Sequence, residues 1–158
     1  MRNKLYTILS GGFSACHFIR VGENRSVNTY VGRDELGRFS FDFRGKFKAT
    51  KIKSSDVIMV SHISSGDESF LRFSLENPDL LEYFCAFCED LISSTGVIDD
   101  DETAYQVLRT RYFSWKKLFK PNHGNLSEFE IMGLIGELKF LRDVMSPEKG
   151  LTKALESW

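Results

Sequence analysis

Residues 39–44 alternate without interruption: Phe39, Phe41 and Phe43 fall on one side of an extended chain, Ser40, Asp42 and Arg44 on the other. Successive side chains of a strand point to opposite faces. The pattern therefore describes a half-buried strand, packed on one face and wet on the other, as antiparallel sheets allow and parallel ones do not. The flanking sequence agrees. Residues 13–21 and 27–31 have strand composition, with turn-forming residues 22–25 between them. Asp34, Glu35, Leu36 and Gly37 make a second turn, and residues 56–63 and 69–75 are further strands joined by 64–68. Residues 1 to about 75 are expected to form a mostly antiparallel sheet of four to six strands. The 14 Phe of the chain mean that aromatic rings dominate its core.

Helical signals take over after residue 75. Asn77 is placed as an N-cap, Pro78 at the first helical position and Asp79 in the first turn, predicting a helix over 77–95. Leu80, Leu81, Phe84, Cys85, Cys88, Leu91 and Ile92 form its apolar stripe, which makes the CxxC of Cys85 and Cys88 two core positions one turn apart. A zinc site would need a second Cys/His pair, and the sequence has none. The acidic run Asp99, Asp100, Asp101, Glu102 opens the next helix, where negative charge complements the helix dipole; Ala104, Leu108, Tyr112, Trp115 and Phe119 line one face of it. Residues 121–124 break the chain.

A third helix begins at Ser127, whose hydroxyl and the Glu130 carboxylate three residues on form a capping box. Ile131, Leu134, Ile135, Leu138, Leu141, Arg142 and Met145 recur at helical spacing. Gly133 and Gly136 each cost about 1 kcal/mol relative to Ala in such a helix, so another backbone or a ligand is expected to come close to them. Glu137 falls roughly 80° from the centre of the apolar stripe, beside Glu130. It is either a carboxylate lent to a site or a half-exposed rim residue. Residues 151–158 start another helical pattern, and the chain is expected to be cut from a longer one at Trp158. The fold class is thus α+β: an N-terminal, mostly antiparallel sheet followed by three to four helices, divided into a β-rich module (1–120) and a helical segment (121–158).

A net charge of −1 gives no global attraction to nucleic acid or membrane, so any such affinity must be local. No stretch approaches the ~20 apolar residues of a membrane span, the apolar run at 5–9 is too short for a secretion signal, and three cysteines make no disulfide framework. A cytoplasmic protein is expected. Two local basic patches stand out. Residues 44–53 carry Arg44, Lys46, Lys48, Lys51 and Lys53 and no acid; as a strand or hairpin, with Arg44, Lys46 and Lys48 on one face, they could track a phosphate backbone. A lysine-decorated edge strand that blocks aggregation is the simpler reading of the same residues. Arg109, Arg111, Lys116, Lys117 and Lys120 are interleaved with aromatics towards a helix C-terminus, which suits nucleic acid or simply a solvated end favoured by the dipole. No nucleophile elbow, phosphate-binding glycine loop or H-E-x-x-H is present. His17, His62 and His123 are scattered, and Glu137 and Lys139, though spelling E-x-K, diverge on a helix.

The run from Trp115 to Phe119, the spaced residues from Leu126 to Leu141, and Ala154, Leu155, Ser157 and Trp158 together resemble a bacterial family of PD-(D/E)XK nuclease-like proteins associated with restriction and phage defence. The resemblance implies that the helix carrying Glu137 opens a restriction-endonuclease-like core, with Glu137 as the catalytic carboxylate facing a Mg²⁺ site. The family's Asp and its (Asp/Glu)-x-Lys pair would follow on strands after Trp158, so this chain alone is expected to be inactive. In an intact relative the implied chemistry is metal-assisted phosphodiester hydrolysis. DNA and other defence-system proteins are the implied partners, with self-association through the C-terminal helices and no membrane. The alternative from another class is a non-catalytic interaction module for protein or DNA, anchored by the Gly133/Gly136 surface and Trp158.

Overall fold

A computed structural model describes residues 4–119, together with Met132, Gly133, Ile135, Gly136 and Lys139. The chain divides into two compact units, Met1–Phe119 and Lys120–Trp158. The first is α+β. Helix α1 (Lys4–Ser10) precedes five strands, β1 (Phe18–Val21), β2 (Asn28–Arg33), β3 (Phe39–Gly45), β4 (Ile58–Ser65) and β5 (Glu68–Leu75). A 3₁₀ turn (Pro78–Leu80) leads into α2 (Leu81–Ser94), and α3 (Asp101–Phe119) follows. The strands form one sheet in the order β1-β2-β3-β5-β4, antiparallel throughout. Among the described residues no helix is long and apolar enough to cross a membrane.

The turns form where the sequence places them. The Asp34 carboxylate accepts the backbone N–H groups of Leu36 (3.0 Å) and Arg38 (2.9 Å) and the Arg38 Nε (2.8 Å), closing the link between β2 and β3. Gly37 and Gly66 take the left-handed conformation (φ 77° and 63°) that these tight turns require. Asn77 caps its helix through a 3.0 Å bond from the Asp79 N–H, and the first turn winds as 3₁₀ before α2 proper. Asp100 is the N-cap of α3, accepting the Thr103 N–H at 2.7 Å, and that bond lowers the pKa of its carboxyl.

One face of the sheet packs on helices. Phe41, Phe43, Leu71 and Phe73 are buried, Phe73 stacks on Tyr112 (5.2 Å), and Phe87 meets Phe73 edge-on (5.3 Å). This is the Phe face of residues 39–44. The opposite face departs from the expected wet one: Ser40 and Asp42 are fully buried. The cause is position, since β3 is central and its polar groups are satisfied by neighbouring strands. Asp42 sits opposite Arg72 and accepts Nε at 2.7 Å and Nη2 at 2.9 Å, while Ser40 and Ser74 share a 2.8 Å bond. Arg44 and Arg72 lie over the aromatic rings of this face: Arg44 is 4.1 Å from the Tyr30 centroid and 4.9 Å from that of Phe70, and Arg72 is 4.7 Å from that of Phe18.

Two further expectations change. Residues 4–10, read as part of a β-rich segment, are helical, with Leu5 and Leu9 buried. Helix α2 buries Tyr83, Ala86, Phe87 and Asp90 beyond its anticipated stripe, because it packs against α1 and α3 as well as the sheet. Cys85 and Cys88 are both buried in α2. Among the described residues of the second unit, Ile135 is buried and Met132 is half exposed. A Cβ added at Gly133 or Gly136 would meet nothing within 4 Å among them. The close approach expected at the two glycines is therefore not seen there.

Candidate nucleic-acid interface

The basic segment after β3 is neither strand nor hairpin. β3 ends at Gly45, and residues 46–57 run as an irregular loop past β5 to reach β4 on the sheet edge. A loop without a ladder must satisfy its backbone polar groups elsewhere. This one lies along α3 and uses its side chains. The Lys46 N–H donates to Asp101 (2.8 Å) and the Lys48 N–H to Glu102 (2.8 Å). Further on, the Thr50 N–H donates to the Tyr105 hydroxyl (2.9 Å), and the Lys53 carbonyl accepts from the Tyr112 hydroxyl (2.9 Å) and Lys116 Nζ (2.8 Å). Gly45 makes the first contact possible, since a Cβ there would stand 2.5 Å from the Asp101 carboxyl carbon. Apolar pins complete the attachment: Phe47 stacks between Phe43 (5.2 Å) and Tyr105 (4.3 Å), and Ile52 is buried.

With its backbone tied down, the loop turns lysines outwards. Lys46, Lys48, Lys51 and Lys53 are exposed. The contacts of Lys53 with Tyr112 and Lys116 bring this row to the C-terminal half of α3, where Lys117 is exposed. Two basic stretches about sixty residues apart thus become one surface. Arg109 stands two turns before Lys116 on the same side of α3, with its guanidinium over the Phe113 ring (5.3 Å). Counter-charge gathers at the other end, where Asp101 and Glu102 anchor the loop. The bond from the Lys48 N–H, aided by Gln106, lowers the Glu102 pKa.

Other candidates lie elsewhere. Arg44 is on the sheet face opposite the one that packs on α2 and α3, bonded to Asp42 (3.1 Å), so Arg44, Lys46 and Lys48 do not share a strand face. Arg111 turns towards α2, where it and the Trp115 indole N–H (2.9 Å) bind the buried Asp90. Lys120 and Glu137 fall outside the described residues. The anchors Asp101, Glu102, Tyr105 and Tyr112 were not singled out from sequence as anchors. The available signal was an acidic run matching a basic one in an otherwise neutral chain, though nothing local fixes which segments pair.

Among the described residues no three His, Cys, Asp or Glu side chains come together in a way that could hold a metal ion. Glu137, which the resemblance implies would face a Mg²⁺ site, lies outside them. The surface they do form can bind anions arrayed over a distance, because each ammonium group placed on a phosphate releases condensed counterions.

No curated protein and no solved structure matches the chain. A family match covers residues 4–158, both units included. PD-(D/E)XK families generally use divalent metals and share a nuclease-like fold. The chain belongs to the family described as "Putative PD-(D/E)XK family member" (DUF4420).

Proposed function

We propose that this chain serves in a metal-dependent DNA endonuclease-like defence protein, and that its first unit holds duplex DNA. The observation that carries the binding role is the lysine loop lying along α3, which merges Lys46, Lys48, Lys51 and Lys53 with Lys116 and Lys117. Family membership supplies the nuclease context. In that context Glu137 would lend a carboxylate to Mg²⁺. Metal chemistry of this kind polarises a phosphate and generates a nucleophilic water.

Fluorescence anisotropy with a labelled duplex tests the binding half. Changing Lys46, Lys48, Lys51 and Lys53 together to Gln is expected to weaken binding at least tenfold at physiological salt, from an estimate of counterion release. Unchanged affinity would remove the reading. Plasmid nicking with Mg²⁺ tests the other half: the full-length gene product should nick, and Glu137→Gln should abolish nicking. Equal nicking by both would strip Glu137 of its role. Half-exposed Met132 and the open space at Gly133 and Gly136 among the described residues favour a second reading, a protein-binding module. It would be left standing if duplex binding were absent.

A further inference from the structure

We infer that Tyr105 is the positioning residue that pre-sets the lysine loop for duplex DNA, an inference that rests on the binding role proposed above. Tyr105 is fully buried in α3 and cannot itself touch a nucleic acid. Its hydroxyl meets loop residue Thr50 at the N–H (2.9 Å), the carbonyl (3.1 Å) and Oγ1 (3.2 Å), and His62 Nε2 on β4 at 3.1 Å. A phenol has one proton to give and lone pairs to receive. It donates to the Thr50 carbonyl and accepts the Thr50 N–H, doing for one residue what a neighbouring strand would do. The point it holds lies between Lys48 and Lys51, both exposed. The ring, stacked on Phe47 at 4.3 Å, fixes the loop's entry from β3. Tyr105 thus joins α3, β4 and the middle of the loop.

Pre-organisation lowers the cost of binding by ordering groups before the partner arrives. Without the hydroxyl, the N–H and carbonyl of Thr50 lose these bonds, and Lys48 and Lys51 are no longer held at a fixed spacing. Phe at this position keeps the ring and its stacking.

The test uses the whole chain and two readouts, amide hydrogen exchange and anisotropy with a labelled duplex across a salt series. In Tyr105→Phe, exchange across residues 46–53 is expected to rise about five- to tenfold, the scale of one net hydrogen bond. Exchange in β3, β5 and α2 should stay as in the wild type. Duplex affinity should fall about threefold or more, with a shallower salt slope. Thr50→Pro removes the same N–H from the loop side and should reproduce both effects if Tyr105→Phe fails to fold. Lys48→Gln should weaken binding without altering exchange. Unchanged exchange in a folded Tyr105→Phe would overturn the inference, as would faster exchange with unchanged affinity. A wild-type chain with no salt-sensitive duplex binding would remove the binding role itself, and this inference with it.

Discussion

Replacing Asp42 with Ala removes the acceptor on which the sheet face opposite α2 and α3 is built. The carboxylate is fully buried and takes three charge-assisted bonds, from Arg72 Nε (2.7 Å), Arg72 Nη2 (2.9 Å) and Arg44 Nη2 (3.1 Å). Arg44 keeps 27% of its side chain exposed and can turn to water, whereas Arg72 keeps only 11% and cannot without repacking. The bidentate Arg72 pair therefore sets the cost. Bonds to charged groups contribute about 1.5–3 kcal/mol each, so two give about 3–6 kcal/mol, in line with the about 3–5 kcal/mol for breaking a buried ion pair from one side. Urea unfolding near neutral pH should show Asp42→Ala losing about 3–5 kcal/mol. Adding Arg72→Met should recover much of that loss, because it removes a guanidinium left with only the exposed Glu35 as its charge partner (2.9 Å). A loss below about 1 kcal/mol would refute the claim that this pair is desolvated.

Phe87 is fully buried, with ring centroids of Phe73, Phe84, Trp115 and Tyr112 5.3–6.5 Å away. Phe87→Ala should cost about 3–5 kcal/mol by the same unfolding assay. Cys16 is exposed while Cys85 and Cys88 are buried, and burial pushes the Cys88 thiol well above its ordinary range. A thiol reagent should thus titrate Cys16 alone in the native protein and all three cysteines once it is unfolded. Burial lowers the His62 pKa below 6.5, so the unfolded chain takes up that proton first as pH falls. The stability this confers is complete above 6.5 and is lost as pH drops towards the folded value. Urea midpoints should decline through that window, and His62→Gln should flatten the decline.

The period-2 signal of residues 39–44 and the cap at Asn77 were legible because each is a local pattern with a local cause. Both appear where the sequence puts them. The buried polar face was not legible. Ser40, Asp42 and Arg44 look like solvent residues until Arg72, thirty positions on, comes opposite Asp42 in the sheet register. Helix α1 was missed because seven residues are too few for a period to declare itself. In the candidate interface the lysines were legible as charge, but their arrangement was not. It depends on the acidic start of α3 and two tyrosine hydroxyls accepting a loop that sequence pattern assigned to a strand.

The salt dependence of duplex binding tests the binding role most directly. Log affinity against log salt concentration should fall linearly, with about 0.9 of slope for each phosphate neutralised. If Lys46, Lys48, Lys51 and Lys53 each hold a phosphate, changing all four to Gln should reduce the slope by about 3.6. A wild-type affinity that stays flat with salt, or a slope unchanged by the loss of all four lysines, would contradict the account.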